Sequence, residues 1–180
     1  MALLGSEIMC YEIKIETVVA IVAVVVAIVA VYYGNKNSKQ QILITKLEEL
    51  FEVVQSLSRY YGRLMELNFK IEELRDAENK ELQTLAQYYE IRDQKISKEE
   101  RLRISEYLSR IEVLTECYTK GSLKKQLENY EKLMYSFSDL VFNGGSIHQE
   151  LNFKKGFPNY EEFNTLIIEL KQGIKAKIKM

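Results

Sequence analysis

The sequence has few of the residues that interrupt helices. Its 180 residues include one proline and eight glycines, and this scarcity disfavours a sheet-rich fold with many turns. Glutamate outnumbers aspartate by 23 to 3, and lysine, leucine and isoleucine are plentiful. These residue types favour helix over sheet. The composition therefore predicts an all-α fold.

Residues that bind metals or perform catalysis are equally scarce. His148 is the only histidine, which excludes a multi-histidine metal site and the paired Glu-x-x-His motifs of di-iron bundles. The sequence contains no glycine-rich phosphate loop, HExxH pair, paired CxxC or EF-hand spacing. His148 and Glu150 could form an acid–base pair, but an exposed loop position is the favoured interpretation of His148. We therefore predict that the protein is not an enzyme and has no catalytic residue, cofactor or metal site.

Only two cysteines are present, Cys10 and Cys117. They lie before and after a long apolar segment, so a membrane-spanning segment would separate them and no disulfide is expected between them. Cys117 falls on an apolar face of a predicted helix, which favours a small core residue over a nucleophile.

Positive and negative charges are nearly balanced. The net charge is −1, which gives no overall attraction to nucleic acid, and no nucleic-acid partner is expected. A chain of 180 residues with 47% hydrophobic side chains has the size and composition of one packed domain with an anchor.

The longest uncharged stretch lies near the N-terminus. Between Glu16 and Lys36 there are 19 residues without a charge, which as a helix would span about 28 Å, close to the hydrocarbon thickness of a bilayer. A lone segment in lipid can satisfy its backbone polar groups only as a helix. We therefore predict a transmembrane helix over residues 17–34, a short extracytoplasmic tail over residues 1–16 and a cytoplasmic helical bundle over residues 35–180.

The flanking charges predict how this segment is oriented. The residues before it carry a net charge of −2, whereas Lys36, Lys39 and Lys46 follow it with no acidic residue among them. Basic flanks remain cytoplasmic, so we expect a single-pass protein of the cell membrane with its N-terminus outside. A cleaved signal peptide is the alternative, but it requires a basic leading region and a small-residue cleavage site, and neither is convincing here.

Five residues at the ends of the segment fit membrane-interface anchors, since aromatic and basic side chains favour the headgroup region. They are Tyr11, Tyr32, Tyr33, Lys36 and Lys39.

Small residues recur along the segment at alternating spacings of 3 and 4, which places them on one helix face. Such a face lets two helices approach closely in lipid, and we predict self-association of the protein as a homo-oligomer. The alternatives are a chance distribution of alanines and a face for another protein's helix. This small-residue stripe consists of Ala20, Ala23, Ala27, Ala30 and Gly34.

Apolar residues continue with helical spacing after a polar stretch, Gly34 to Ser38, where we expect a break. About three heptads follow. Apolar residues on both flanks make this face broader than the apolar stripe of a two-stranded coiled coil. We predict a long, coiled-coil-like first helix packed in a bundle, either continuous or kinked near residues 76–79. The heptad positions are Leu43, Leu47, Leu50, Val54, Leu57, Tyr61 and Leu64.

Local signals divide the remaining chain into helices, giving about four in the cytoplasmic part. Ser97 with Glu100, and Asn159 with Glu162, have the spacing of helix-initiating capping pairs. Gly121 fits a left-handed helix stop. The helix before it should turn inward an apolar set of Leu102, Tyr107, Leu108, Ile111, Leu114 and Tyr118. The helix that follows Gly121 should end at Asn143-Gly144-Gly145 and bury Leu123, Leu127, Tyr130, Leu133, Met134, Phe137 and Val141.

The last ten residues carry four lysines and no acidic residue. Lysines near a helix C-terminus complement the helix dipole, and the alternative is contact with anionic lipid. These lysines are Lys171, Lys175, Lys177 and Lys179.

Two function classes fit these features. The first is a noncatalytic, membrane-anchored scaffold or regulator whose bundle binds an unidentified cytoplasmic protein or a second copy of itself. The second is a membrane-acting effector of the toxin or host-defence type, whose anchors associate and perturb the bilayer.

Overall fold

A computed structural model describes residues 3–75, 84–144 and 156–179, with side chains for residues 15, 17–74, 84–144 and 156–179. The described residues are helical and include no strand, which confirms the predicted all-α fold. The chain divides into an N-terminal unit, Met1–Leu43, and a C-terminal unit, Ile44–Met180.

The N-terminal unit consists of the first part of helix α1 (Leu3–Ser58). It includes a helix long and apolar enough to cross a membrane, with a mean hydropathy of 2.6 over its most apolar 18-residue window and none of that window buried. The break expected at Gly34 to Ser38 is absent, because these residues are helical. That expectation was wrong: glycine, asparagine and serine weaken a helix, but none removes a backbone hydrogen bond as proline does.

The C-terminal unit contains the end of α1 and five further helices in its described part. They are α2 (Tyr61–Arg75), α3 (Leu85–Lys95), α4 (Lys98–Tyr118), α5 (Gly121–Asn143) and α6 (Tyr160–Ile178).

Side-chain caps define where several of these helices begin. Ser97 Oγ accepts the Glu100 N–H at 3.2 Å and Glu100 Oε2 accepts the Ser97 N–H at 3.0 Å, as predicted for α4. Asn159 and Glu162 form the predicted box at α6. Each cap satisfies backbone donors that the first helical turn leaves without partners.

Two glycines have left-handed backbone conformations. Gly144 caps α5 with φ +82°, as predicted. Gly121 has φ +66° but is the first residue of α5, and the predicted stop at Gly121 was wrong, because α4 ends at Tyr118 with an extended Thr119 as its cap. A side chain would strain the backbone at both positions.

The helix predicted to carry the heptads is interrupted earlier than expected. Helix α1 ends at Ser58 and α2 begins at Tyr61, and the two residues between them, Arg59 and Tyr60, include no proline or glycine. Ser58 Oγ donates to the Val54 carbonyl at 2.6 Å, and the buried Tyr130 hydroxyl donates to the same carbonyl at 3.2 Å. Both bonds reach a carbonyl in the last turns of α1, one from a serine four residues later, a pattern that often bends helices, and one from α5. The kink considered at residues 76–79 lies outside the described residues.

Most predicted core positions are buried. Six of the seven heptad residues are at most 2% exposed, and Leu43 is the exception at 38%. All seven residues predicted on α5 are at most 4% exposed.

Contacts give the relative directions of the helices in this unit. Tyr130 contacts Val54 and Phe137 contacts Tyr61, so α5 runs parallel to α1–α2. Phe163 stacks on Tyr61, whereas Lys175 lies over Phe51, so α6 runs antiparallel to them.

Helix α4 also runs antiparallel to α1–α2 and therefore to α5. Arg110 pairs with Glu49, and Arg63 pairs with Glu100 at 2.8 Å. The ion pair between Lys124 and Glu116 at 2.7 Å lies at the α4–α5 connection.

Two predicted inward positions were wrong. Leu102 is 66% exposed, because the buried face of α4 follows Ile104 and Ile111, and a residue two positions from Ile104 points about 200° away from it. Cys117 is exposed rather than buried, since Leu114 and Thr115 hold the inward position in the last turn of α4.

Candidate functional site: the apolar segment, the lysine tail and the α5 cleft

The apolar segment, residues 17–34, presents its side chains outward around the whole helix. Its valine and isoleucine side chains are 47–64% exposed. By contrast, Leu47 and Leu50 further along α1 are at most 2% exposed. An apolar surface of this extent is typical of a segment that contacts lipid or another protein.

The small-residue stripe lies on exposed helix throughout. At Gly34, a methyl group added in place of the hydrogen would meet no atom within 4 Å. The stripe is therefore sterically open to an approaching helix.

Four of the five predicted interface residues have described side chains. Tyr32 and Tyr33 are 65% and 57% exposed, and their rings meet edge to face with centroids 5.7 Å apart. Lys36 and Lys39 are exposed one to two turns later. The side chain of Tyr11 lies outside the described residues.

The four tail lysines do not form one uniform surface. Lys171 Nζ and Lys175 Nζ lie 5.9 and 5.1 Å from the centre of the Phe51 ring. The cation–π contacts of Lys171 and Lys175 hold α6 against α1 within the C-terminal unit. Lys177 and Lys179, by contrast, are exposed. The interleaved isoleucines face inward, since Ile174 is fully buried and Ile178 packs against the core.

A cleft of about 540 Å³ lies where the ends of α2 and α5 meet the start of α3. Leu85 and Tyr89, which are 64% and 47% exposed, form part of its wall. Exposed apolar side chains beside a concave surface suit a protein partner. The sequence did not predict this cleft. Tyr88, next to Tyr89, is the buried ring of the pair, at 3% exposed.

Tyr88 in the wall of the cleft and Arg92 one turn further along α3 both bond to the end of α5. Tyr88 donates its hydroxyl to the Val141 carbonyl at 2.7 Å, and Arg92 Nη1 donates to the Phe142 carbonyl at 3.3 Å. Burial raises the pKa of the Tyr88 phenol to about 12. Both side chains therefore stabilise the end of α5, and the phenol stays protonated near neutral pH.

Among the residues that the structure describes, no group of three or more histidine, cysteine, aspartate or glutamate side chains is placed to hold a metal ion. His148 and Glu150, the acid–base alternative, lie outside the described ranges.

Contacts between distant parts of the chain account for what sequence reasoning missed. Tyr88 meets Val141 across 53 positions, and Tyr130 meets Val54 across 76. The tyrosine doublet at 88–89 was the one local signal that pointed to the cleft. No protein-family model, curated protein or solved structure matches the chain.

Proposed function

We propose that the protein is a noncatalytic, membrane-anchored scaffold or regulator whose C-terminal helices form a cytoplasmic bundle. The change of environment along α1 supports this proposal most strongly, because one helix passes from exposed apolar residues to a buried core. The first part suits lipid, and the second belongs to a unit that buries its own apolar faces.

The flanking charges support the proposed topology. Lys36 and Lys39 follow the apolar segment, whereas the residues before it carry a net charge of −2. Because basic flanks remain cytoplasmic, the C-terminal unit lies in the cytoplasm and residues 1–16 lie outside the cell.

The partners in this proposal are of two kinds. A cytoplasmic protein contacts the C-terminal unit, and the exposed Leu85 and Tyr89 beside the α5 cleft favour that surface. A second copy of the chain contacts the small-residue stripe, where the absence of bulky side chains lets the helix backbones pack closely. The heptad positions from Leu47 to Leu64 are buried within the C-terminal unit, so the proposed dimer rests on the small-residue stripe alone.

We expect the double variant Ala23→Leu, Ala27→Leu to weaken self-association of the anchor by about tenfold or more, because large side chains separate the two backbones. The measurement is a genetic association assay or crosslinking of the isolated apolar segment in a membrane. Val22→Leu with Val25→Leu is the matched control, since these residues lie off the stripe. Equal behaviour of the two pairs would show that the alanines face lipid.

The alternative function, a bilayer-perturbing effector, has the same exposed apolar segment in its favour. Overproduction distinguishes the two classes when membrane potential is followed with a voltage-sensitive dye. If the protein is a scaffold, overproducing cells should keep the same membrane potential as cells that produce an unrelated single-pass protein. Depolarisation that the Ala23→Leu, Ala27→Leu variant abolishes would establish the effector and contradict the scaffold.

A further inference from the structure

One end of the C-terminal unit collects positive charge from three separate parts of the chain. Within this unit α1 starts at Ile44, and the antiparallel course of α6 brings its C-terminus toward the same end. Because α5 runs parallel to α1 and α4 runs antiparallel, the α4–α5 connection also lies there. We call this region the Ile44 end, formed by residues 44–48, 116–125 and 172–179.

Direct contacts hold these segments together. Lys175 Nζ lies 5.1 Å from the centre of the Phe51 ring, which links α6 to α1. A methyl group on Gly173 would lie 3.3 Å from Leu123 Cδ1, which places α6 against the start of α5.

The charges at the two ends of the unit differ in sign. The Ile44 end contains seven lysines and two glutamates. The opposite end, residues 69–75, 98–103, 135–143 and 159–165, contains five basic and seven acidic residues. The excess of five positive charges at the Ile44 end thus occurs in a chain whose net charge is −1.

Four of these lysines are available for an external anion. Lys46 and Lys124 form ion pairs with Glu49 and Glu116, and Lys175 lies over Phe51. The remaining four are exposed and form no ion pair with any residue that the structure describes. They are Lys120, Lys125, Lys177 and Lys179.

The distance along the chain limits which anionic surface these lysines meet. Nine residues, 35–43, separate the apolar segment from Ile44, a span of about 14 Å as helix. Only this short length of chain therefore connects the Ile44 end to the segment proposed to cross the membrane. The negative surface potential of a cytoplasmic leaflet attracts basic residues.

We propose that Lys120, Lys125, Lys177 and Lys179 bind the anionic headgroups of the lipid leaflet next to the anchor. This inference rests on the membrane anchoring proposed above and assigns the contact to a surface built by α4, α5 and α6. It revises the tail expected from sequence, because Lys171 and Lys175 contact Phe51, while Lys120 and Lys125 belong to the surface.

The experiment uses the full chain with Cys10→Ser, in which the exposed Cys117 carries a donor fluorophore near the Ile44 end. The protein is placed in nanodiscs of phosphatidylcholine, with or without phosphatidylserine, that contain acceptor-labelled headgroups. Energy transfer should rise with phosphatidylserine and fall again with added salt, since exposed charges are screened within about 10 Å at 0.1 M salt.

Matched variants identify the lysines responsible. Replacing Lys120, Lys125, Lys177 and Lys179 by glutamine should abolish the rise, with each single change lowering the docking constant about fivefold. The control replaces four exposed basic residues elsewhere on the unit, Arg59, Lys98, Arg103 and Lys132, and should retain the rise.

The outcomes separate this inference from the proposed function. A chain that inserts into nanodiscs but shows equal transfer in both lipids, or whose control variant loses the rise as fully, overturns the lipid contact and leaves the anchor intact. A chain that does not enter nanodiscs at all overturns the anchor and, with it, this inference.

Discussion

Replacing Phe163 by alanine should lower the free energy of unfolding of the C-terminal unit by about 3–5 kcal/mol. The Phe163 ring is 5% exposed and stacks on Tyr61 with ring centroids 3.5 Å apart. It also lies 6.4 Å from the Tyr130 ring. Truncation therefore leaves a cavity where α6 meets α2 and α5.

This loss in the free energy of unfolding is a large share of the total, because domains are stable by only about 5–15 kcal/mol. Chemical unfolding of the full chain in detergent, followed by circular dichroism, measures it. Ile168→Ala on the same helix is the control: this side chain is 49% exposed, so we expect a change of about 1 kcal/mol or less. Equal losses in the two variants would mean that α6 does not pack through the Phe163 ring.

The second large effect concerns the apolar segment. Val22→Arg combined with Val26→Arg should prevent stable membrane integration, because each arginine near the middle of a spanning helix costs about 2.5–3.5 kcal/mol. Both valines are exposed, at 56% and 60%, so the changes disturb no internal packing. Resistance to alkaline extraction from membranes reports integration.

Asn35→Arg with Asn37→Arg adds the same charge just beyond the segment and is the matched control. This variant should stay in the membrane fraction, since basic residues suit the cytoplasmic flank. Retention of the valine variant at the level of this control would show that residues 17–34 do not cross lipid.

Features that depend on nearby residues were predictable from the sequence. The caps at Ser97 and Asn159 use partners three residues away, and the buried face of α5 follows a period that repeats within two turns. For the same reason, the apolar segment was evident from an uninterrupted run without charge.

Features that depend on distant residues were not predictable. The α1–α2 break has only a weak local signal, Ser58, and the second hydroxyl at the Val54 carbonyl comes from Tyr130 on α5. The buried face of α4 was predicted wrongly at Leu102. Apolar residues occur on several faces of this helix, and only packing against other helices decides which of them are buried. The basic Ile44 end joins lysines more than 50 positions apart, so only the tail portion was visible in the sequence.

Thiol labelling in intact cells tests the proposed single-pass topology most directly. Cys117 is exposed on the C-terminal unit, so protection of this thiol reports the membrane barrier and not burial. A membrane-impermeant maleimide should label Cys10 and spare Cys117 until the cells are permeabilised, after which both should react. Labelling of Cys117 with protection of Cys10 in intact cells would reverse the orientation and contradict a cytoplasmic helical domain.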